Sequence, residues 1–227
     1  MKGIPIRVAA LLLASASAHA QTTVDPQAAR VEVEVGGGLF GGARLGAGDA
    51  NLRANAQARQ PFRLFATESR LAGAPLVYVR AAVPLGRGLG IEGGVALEHP
   101  EVRTSLTADA EGAAGLTAVE RIDQYAFDAG VVWRLDRLRI GGRLFPFVSG
   151  GAGYLRQLHE GRTLIEHGQV YHVGGGVKYW LLTRPNGFLR SAGLKGDVRM
   201  QLLRGGIAFE DRARPHAAMS GGVFVGF

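Results

Sequence analysis

Apolar positions recur every second residue through most of this chain, the period of strands with two unlike faces. Residues 30–40 place Val31, Val33, Val35 and Leu39 on one side and Arg30, Glu32, Glu34 and Phe40 on the other. Residues 74–85 sort Val77, Val79, Ala81 and Val83 from Tyr78, Arg80 and Ala82, and residues 89–99 sort Leu89, Ile91, Val95 and Leu97 from Glu92 and Glu98. A fourth strand sets Tyr125, Phe127, Val131 and Trp133 against Gln124, Asp128 and Arg134. The fifth has Leu144, Pro146, Val148 and Tyr154 opposite Arg139, Arg143, Phe145 and Phe147, and a bulge near Pro146 would let it switch faces. The sixth separates Tyr171, Val173, Val177 and Tyr179 from His172, Lys178 and Trp180. In the seventh, Phe188, Leu194, Val198 and Met200 oppose Lys195, Asp197 and Arg199. Residues 216–227 form the eighth, with Met219, Val223, Val225 and Phe227 on one face.

Short turns at 86–88, 136–137 and 184–187 alternate with long connections near 41–70, 99–119, 157–167 and 205–214. The Ala-rich DANLRANAQAR in the first long connection is compatible with one or two helical turns. Across the 86–88 turn, pairing Leu85 with Leu89 brings Val83 to Ile91 and Val79 to Val95, apolar to apolar.

The first residues carry Lys2 and Arg7, then an apolar VAALLLASASAHA with Ala18 and Ala20 flanking His19. This three-part form predicts a secretory signal over 1–20; residues 21–29 are then a short N-terminal periplasmic segment, and the strands of 30–227 a β-barrel. Removal of Lys2 and Arg7 leaves 24 basic side chains against 19 acidic ones, a formal charge of +5. After residue 20 no run approaches 18 consecutive apolar residues, so any crossing of a membrane falls to strands.

A soluble sandwich has the same alternation, with its charges outside. Three features favour the inverted arrangement. The strand number is even, and short turns alternate with long loops. Tyr125 with Trp133 and Tyr171 with Tyr179 bracket their apolar faces at a spacing of eight residues. At about 3.3 Å per residue and a tilt near 40° that is roughly 20 Å, close to the height of a lipid-facing band. The fold class predicted is all-β: an eight-stranded antiparallel up-and-down transmembrane barrel with short periplasmic turns and long outer loops. Its lipid-facing girdle is Tyr125, Trp133, Tyr154, Tyr171, Tyr179 and Phe188. Glycine, 35 of 227 residues, suits the narrow interior of a small barrel, and the absence of cysteine excludes disulfides and thiolate metal sites.

With the faces so assigned, the interior holds Glu32, Glu34, Arg80, Glu92, Glu98, Asp128, Arg134, Arg143, His172, Lys178, Lys195, Asp197 and Arg199. Buried charges must be paired or hydrated, and eight strands enclose a space that side chains fill, so the expected arrangement is an ion-pair plug rather than an open pore.

The stretch Pro146–Tyr154, PFVSGGAGY, resembles a strand common among small eight-stranded outer-membrane proteins, the transmembrane domain of outer membrane protein A and its relatives. A terminal aromatic such as Phe227 resembles their assembly signal. The resemblance implies location in the bacterial outer membrane, recognition of the C-terminal strand by the barrel-assembly machinery, and contact with outer-membrane lipid and lipopolysaccharide. No peptidoglycan-binding domain follows Phe227, so tethering to the cell wall is not implied. Some such barrels modify lipid A, and others pass small or hydrophobic solutes. His99, His159, His167, His172 and His216, with Glu160, Glu166, Ser149 and Ser220, contain no recognisable nucleophile motif, and the glycine runs lie inside strands rather than in a nucleotide loop. The expectation is a non-enzymatic barrel without cofactor, metal site or nucleic-acid partner. Arg44, Arg53, Arg59, Arg63, Arg70, Arg212 and Arg214 are available to lipopolysaccharide phosphates. Intact mass of the exported chain should place its first residue at Gln21; a mature chain retaining Lys2 and Arg7 would overturn the assignment of the signal.

Overall fold

The structure, a computed structural model, describes residues 29–52, 62–107, 115–161, 164–207 and 213–227. The expected signal segment, residues 21–28 and the loop arginines Arg53, Arg59 and Arg212 lie outside the described residues. Eleven strands are present among them: β1 (Glu32–Phe40), β2 (Ala43–Leu52), β3 (Phe62–Leu71), β4 (Ala74–Gly86), β5 (Leu89–Glu98), β6 (Glu101–Thr107), β7 (Leu116–Arg134), β8 (Leu144–His159), β9 (Ile165–Thr183), β10 (Ser191–Gly205) and β11 (Arg214–Gly226).

Every pairing is antiparallel, and β1, β4, β5, β7, β8, β9, β10 and β11 each have two neighbours within that set. The hydrogen-bond ladder therefore returns on itself and leaves no edge along this circuit. The count of eleven exceeds the eight expected because the connections at 41–70 and 99–119 are themselves extended. β2 continues β1 after Gly41–Gly42, β3 leads into β4 through Ala72–Gly73, and β6 continues β5 after His99–Pro100. Together β2, β3, β6 and the first part of β7 form a four-stranded sheet beyond the circuit. Residues 49–52 are strand, not helix. Each of these extensions has an apolar residue buried on its inner face, Leu45, Leu71 and Val102, too few to set a visible period among glycine, alanine and threonine.

Further expectations change. β8 and β9 run to His159 and from Ile165, so the third connection is confined to 160–164 rather than extending over 157–167. Gly141 and Gly142, at φ +60° and +72°, turn the chain ahead of β8. Arg143 consequently stands exposed in the turn and is no part of the interior. β8 has no bulge at Pro146, which pairs with Val177 in unbroken register; Phe145 and Phe147 point inward without any switch of faces. Phe188 precedes β10 and lies in the 184–190 turn, 83% exposed, against the ring of Phe227. The hairpin register matches the expected Val83–Ile91 and Val79–Val95 pairs, with an irregularity at Pro84/Gly86 that pairs Gly86, not Leu85, with Leu89.

Exposure alternates along the circuit in the inverted sense. On neighbouring positions of β1, Glu34 is 3% and Val35 58% exposed; on β4, Arg80 is 8% and Val79 51%. The inner face is crowded. A Cβ added to Gly36 would overlap the Gly221 carbonyl oxygen and the Tyr78 hydroxyl, and one on Gly222 would meet the same hydroxyl. Gly36→Val should displace Tyr78 and cost about 1–3 kcal/mol, measured as a lower unfolding temperature of the detergent-folded chain by circular dichroism; an unchanged temperature would refute the packing.

Candidate functional site: a charge network across the lumen

The circuit is narrow enough for opposite strands to touch through their side chains. Lys195 of β10 donates to Glu34 of β1 at 2.7 Å and to Glu92 of β5. Arg199, four residues on and hence on the same face, reaches Glu92 at 2.6 Å and Asp197 at 3.1 Å, with Asp128 of β7 at 3.6 Å. Arg80 of β4 donates to Asp197 at 2.9 Å. Lys178 of β9 pairs with Glu32 of β1, and the Ser220 hydroxyl donates to Asp197. The Tyr78 hydroxyl donates to Glu34 at 2.6 Å, while Arg80 lies over its ring at 3.9 Å.

Of the thirteen side chains expected in the interior, nine, Glu32, Glu34, Arg80, Glu92, Asp128, Lys178, Lys195, Asp197 and Arg199, take part in these ion pairs, and Arg143 is left out. Five are acidic and four basic. Arg134 pairs with Asp136 at the turn instead, and His172 Nδ1 stands 3.8 Å from Asp128. Sequence reasoning missed Tyr78 and Ser220 as members. Both lie on the inward parity of their strands, which was the available signal.

Layers of different chemistry flank the network. Toward the long-loop end, Gln124 donates to Glu98, Gln157 donates to Gln124, and the Ile207 amide donates to Gln157 at 2.8 Å. Beyond them an apolar cluster containing Phe40, Leu45, Leu71, Val102, Leu155 and Leu203 fills the mouth. Toward the short-turn end, Trp180 is edge-on to both Phe145 and Phe224, at 4.7 and 5.5 Å between ring centroids. A cavity of about 60 Å³ beside Glu32, Arg134, Lys178 and Trp180 has room for a few water molecules and no more.

The girdle residues face outward, with Trp133, Tyr154 and Tyr171 exposed and Tyr125 and Tyr179 half-buried. The histidines do not converge. His99 is 3.6 Å from Asp123, His159 is 2.6 Å from Glu120, and His167 meets the Tyr154 hydroxyl. His216 is buried: its Nδ1 donates to the Gly41 carbonyl at 3.0 Å and its ring stacks on Phe40. Among the described residues no group of His, Asp and Glu is arranged to hold a metal ion.

This geometry has a counterpart among solved structures. Neisserial surface protein A matches with a TM-score of 0.50 and 12% identity, over 87% of this chain and 97% of that one. The fold is that of the small outer-membrane β-barrel proteins. Ail, the attachment invasion locus protein of Yersinia pestis, aligns at 12% identity over 85% of this chain and 97% of its own, with a TM-score of 0.38. No protein-family model and no curated protein matches the sequence.

Removing one member of the buried network strands its partners. Asp197→Ala leaves Arg80, Arg199 and Ser220 without their shared acceptor and should destabilise the chain by about 3–5 kcal/mol, whereas Arg143→Ala should stay within about 0.5 kcal/mol. Urea unfolding in detergent measures both. Equal effects would remove the distinction between lumen and turn.

Proposed function

We propose that this protein is an eight-stranded barrel of the bacterial outer membrane, non-enzymatic, whose plugged interior anchors the extensions and loops at one end for contact with the envelope or with surface partners. The inversion of its faces carries the reading: valine, leucine, isoleucine and methionine cover the outside while lysine, arginine, glutamate and aspartate meet across the middle. In water that arrangement exposes the wrong face; in a bilayer both faces are satisfied, and closure leaves no unpaired edge in lipid.

The three breaks at 41–42, 72–73 and 99–100 divide long strands, so eleven segments make eight crossings. The short-turn end, with both chain ends of the circuit, faces the periplasm, and the long-loop end faces outward, as in barrels of this type. Phe227, beside Phe188 at the short-turn end, is the candidate signal for the assembly machinery. Outer-membrane lipid meets the apolar band, and lipopolysaccharide is the candidate partner at the outer rim. The pairs His159–Glu120 and His167–Tyr154 include no serine or threonine nucleophile, so lipid A modification finds no support in them.

Refolded into detergent, the mature chain should migrate differently on a gel with and without heating, and in a planar bilayer it should give no stable open-channel current. A stable conductance would overturn the plug, and the absence of any heat-dependent shift would overturn the barrel.

A further inference from the structure

The register beyond the breaks aligns Arg44 of β2 with Arg70 of β3, and Arg70 with Arg103 of β6. Directly opposed residues share a face with Cβ atoms about 4.5–5.5 Å apart, so these side chains form a row across adjacent strands. Their side chains are exposed, at 65%, 68% and 59%. Like charges placed opposite one another destabilise a sheet. Glu68 and Glu101, each two residues before its arginine and so on the same face, offset part of the repulsion. Glu68 lies 2.8 Å from Arg70 and 3.4 Å from Arg44, and Glu101 lies 3.0 Å from Arg103. The hydrogen bond from Arg70, helped by the charges of Arg70 and Arg44, holds the Glu68 carboxyl below its usual range, so it stays ionised at neutral pH. Arg121 of β7 stands opposite Glu101 and extends the row to a fourth strand. Four cations against two carboxylates leave a local surplus of two positive charges. The other face of the same sheet presents Leu45, Leu71 and Val102 to the mouth of the lumen, which fixes the row on the outside.

We propose that this arginine ladder binds a multiply phosphorylated saccharide, the headgroup of a glycolipid in the leaflet at the long-loop end. Guanidinium forks take phosphate oxygens in pairs, and adjacent strands repeat them at about 4.8 Å, a spacing suited to an anion with several charged groups. The phosphates carry more charge than the carboxylates already present and can take over the arginine donors that Glu68 and Glu101 leave free. Position favours a membrane source over a soluble one. Leu39, the last exposed apolar residue of β1, precedes Arg44 by five residues, roughly 16 Å along the strand and less once tilted, which is within reach of a sugar headgroup. The assignment of the lipid source rests on the outer-membrane reading above.

The test uses the mature chain folded in neutral detergent, with lipopolysaccharide before and after enzymatic dephosphorylation and tripolyphosphate as a soluble competitor. The wild-type chain should bind the phosphorylated form at least ten-fold more tightly than the dephosphorylated one, and tripolyphosphate should displace it. The variant R44Q/R70Q/R103Q should lose that preference. R137Q/R139Q/R184Q, which removes the same charge at the short-turn end, should keep it. Retention of the preference by the ladder variant, or equal loss in the control, overturns the site. Ladder-dependent binding of tripolyphosphate without discrimination between the two lipopolysaccharides assigns the row to soluble phosphate and overturns the lipid source. Heat-dependent gel migration, recorded on the same samples, separates failure of the barrel reading from failure of the ladder.

Discussion

Lys195 has no solvent exposure along its side chain, and the carboxylates that satisfy it come from β1 and β5, neither adjacent to its own strand. That single requirement governs the rest of the architecture. A buried ammonium group without a partner is too costly to keep, and partners on the far wall exist only if the sheet closes at the right circumference and in the right register. A slip of one residue in β10 would send Lys195 and Asp197 to the apolar side and bring Leu194 and Val198 into the lumen. Strand register and ion pairing are therefore one constraint stated twice: the ladder places the charges, and the charges penalise every other ladder.

The two-residue alternation was legible because both faces of the circuit are chemically extreme, valine or leucine outside and a charge inside. The Val83–Ile91 and Val79–Val95 pairs followed from it directly, as did nine network members. What escaped was of another kind. β2, β3 and β6 face water on one side and a small apolar patch on the other, so alanine, glycine and threonine suffice at many positions and the period fades. Arg143 and Phe188 obeyed the parity of their strands but lay beyond the strand ends, where Gly141 and Gly142 or the 184–190 turn had already redirected the chain. Parity is a property of continuous extended backbone and carries no information past its last residue.

Tyr78 and Ser220 illustrate a second limit. Neither carries a charge, and their importance arises from distance alone: one hydroxyl completes the Glu34 shell from a neighbouring strand, the other completes that of Asp197. A carboxylate with several acceptor sites needs more donors than the cations supply, and uncharged hydroxyls fill the remainder. Which hydroxyls do so depends on register, and register is a property of pairs of strands that inspection of either strand alone does not yield.

The ends of the lumen then decide where the molecule can meet anything else. Phe145, Trp180 and Phe224 pack across the short-turn end, while Phe40, Leu45, Leu71 and Val102 belong to the cluster that fills the long-loop end. Between these layers five carboxylates and four cations satisfy one another, leaving one surplus charge enclosed by aromatic and aliphatic side chains. Along the arginine row that crosses the outer face of β2, β3, β6 and β7 the balance is four cations to two carboxylates, and those side chains stand in solvent. Charge that is mutually paired and enclosed specifies the fold; charge that is unbalanced and exposed is what remains to recognise a partner. The sheet beyond the breaks joins the two roles, since its inner face seals the network from one side and its outer face holds the arginines in line.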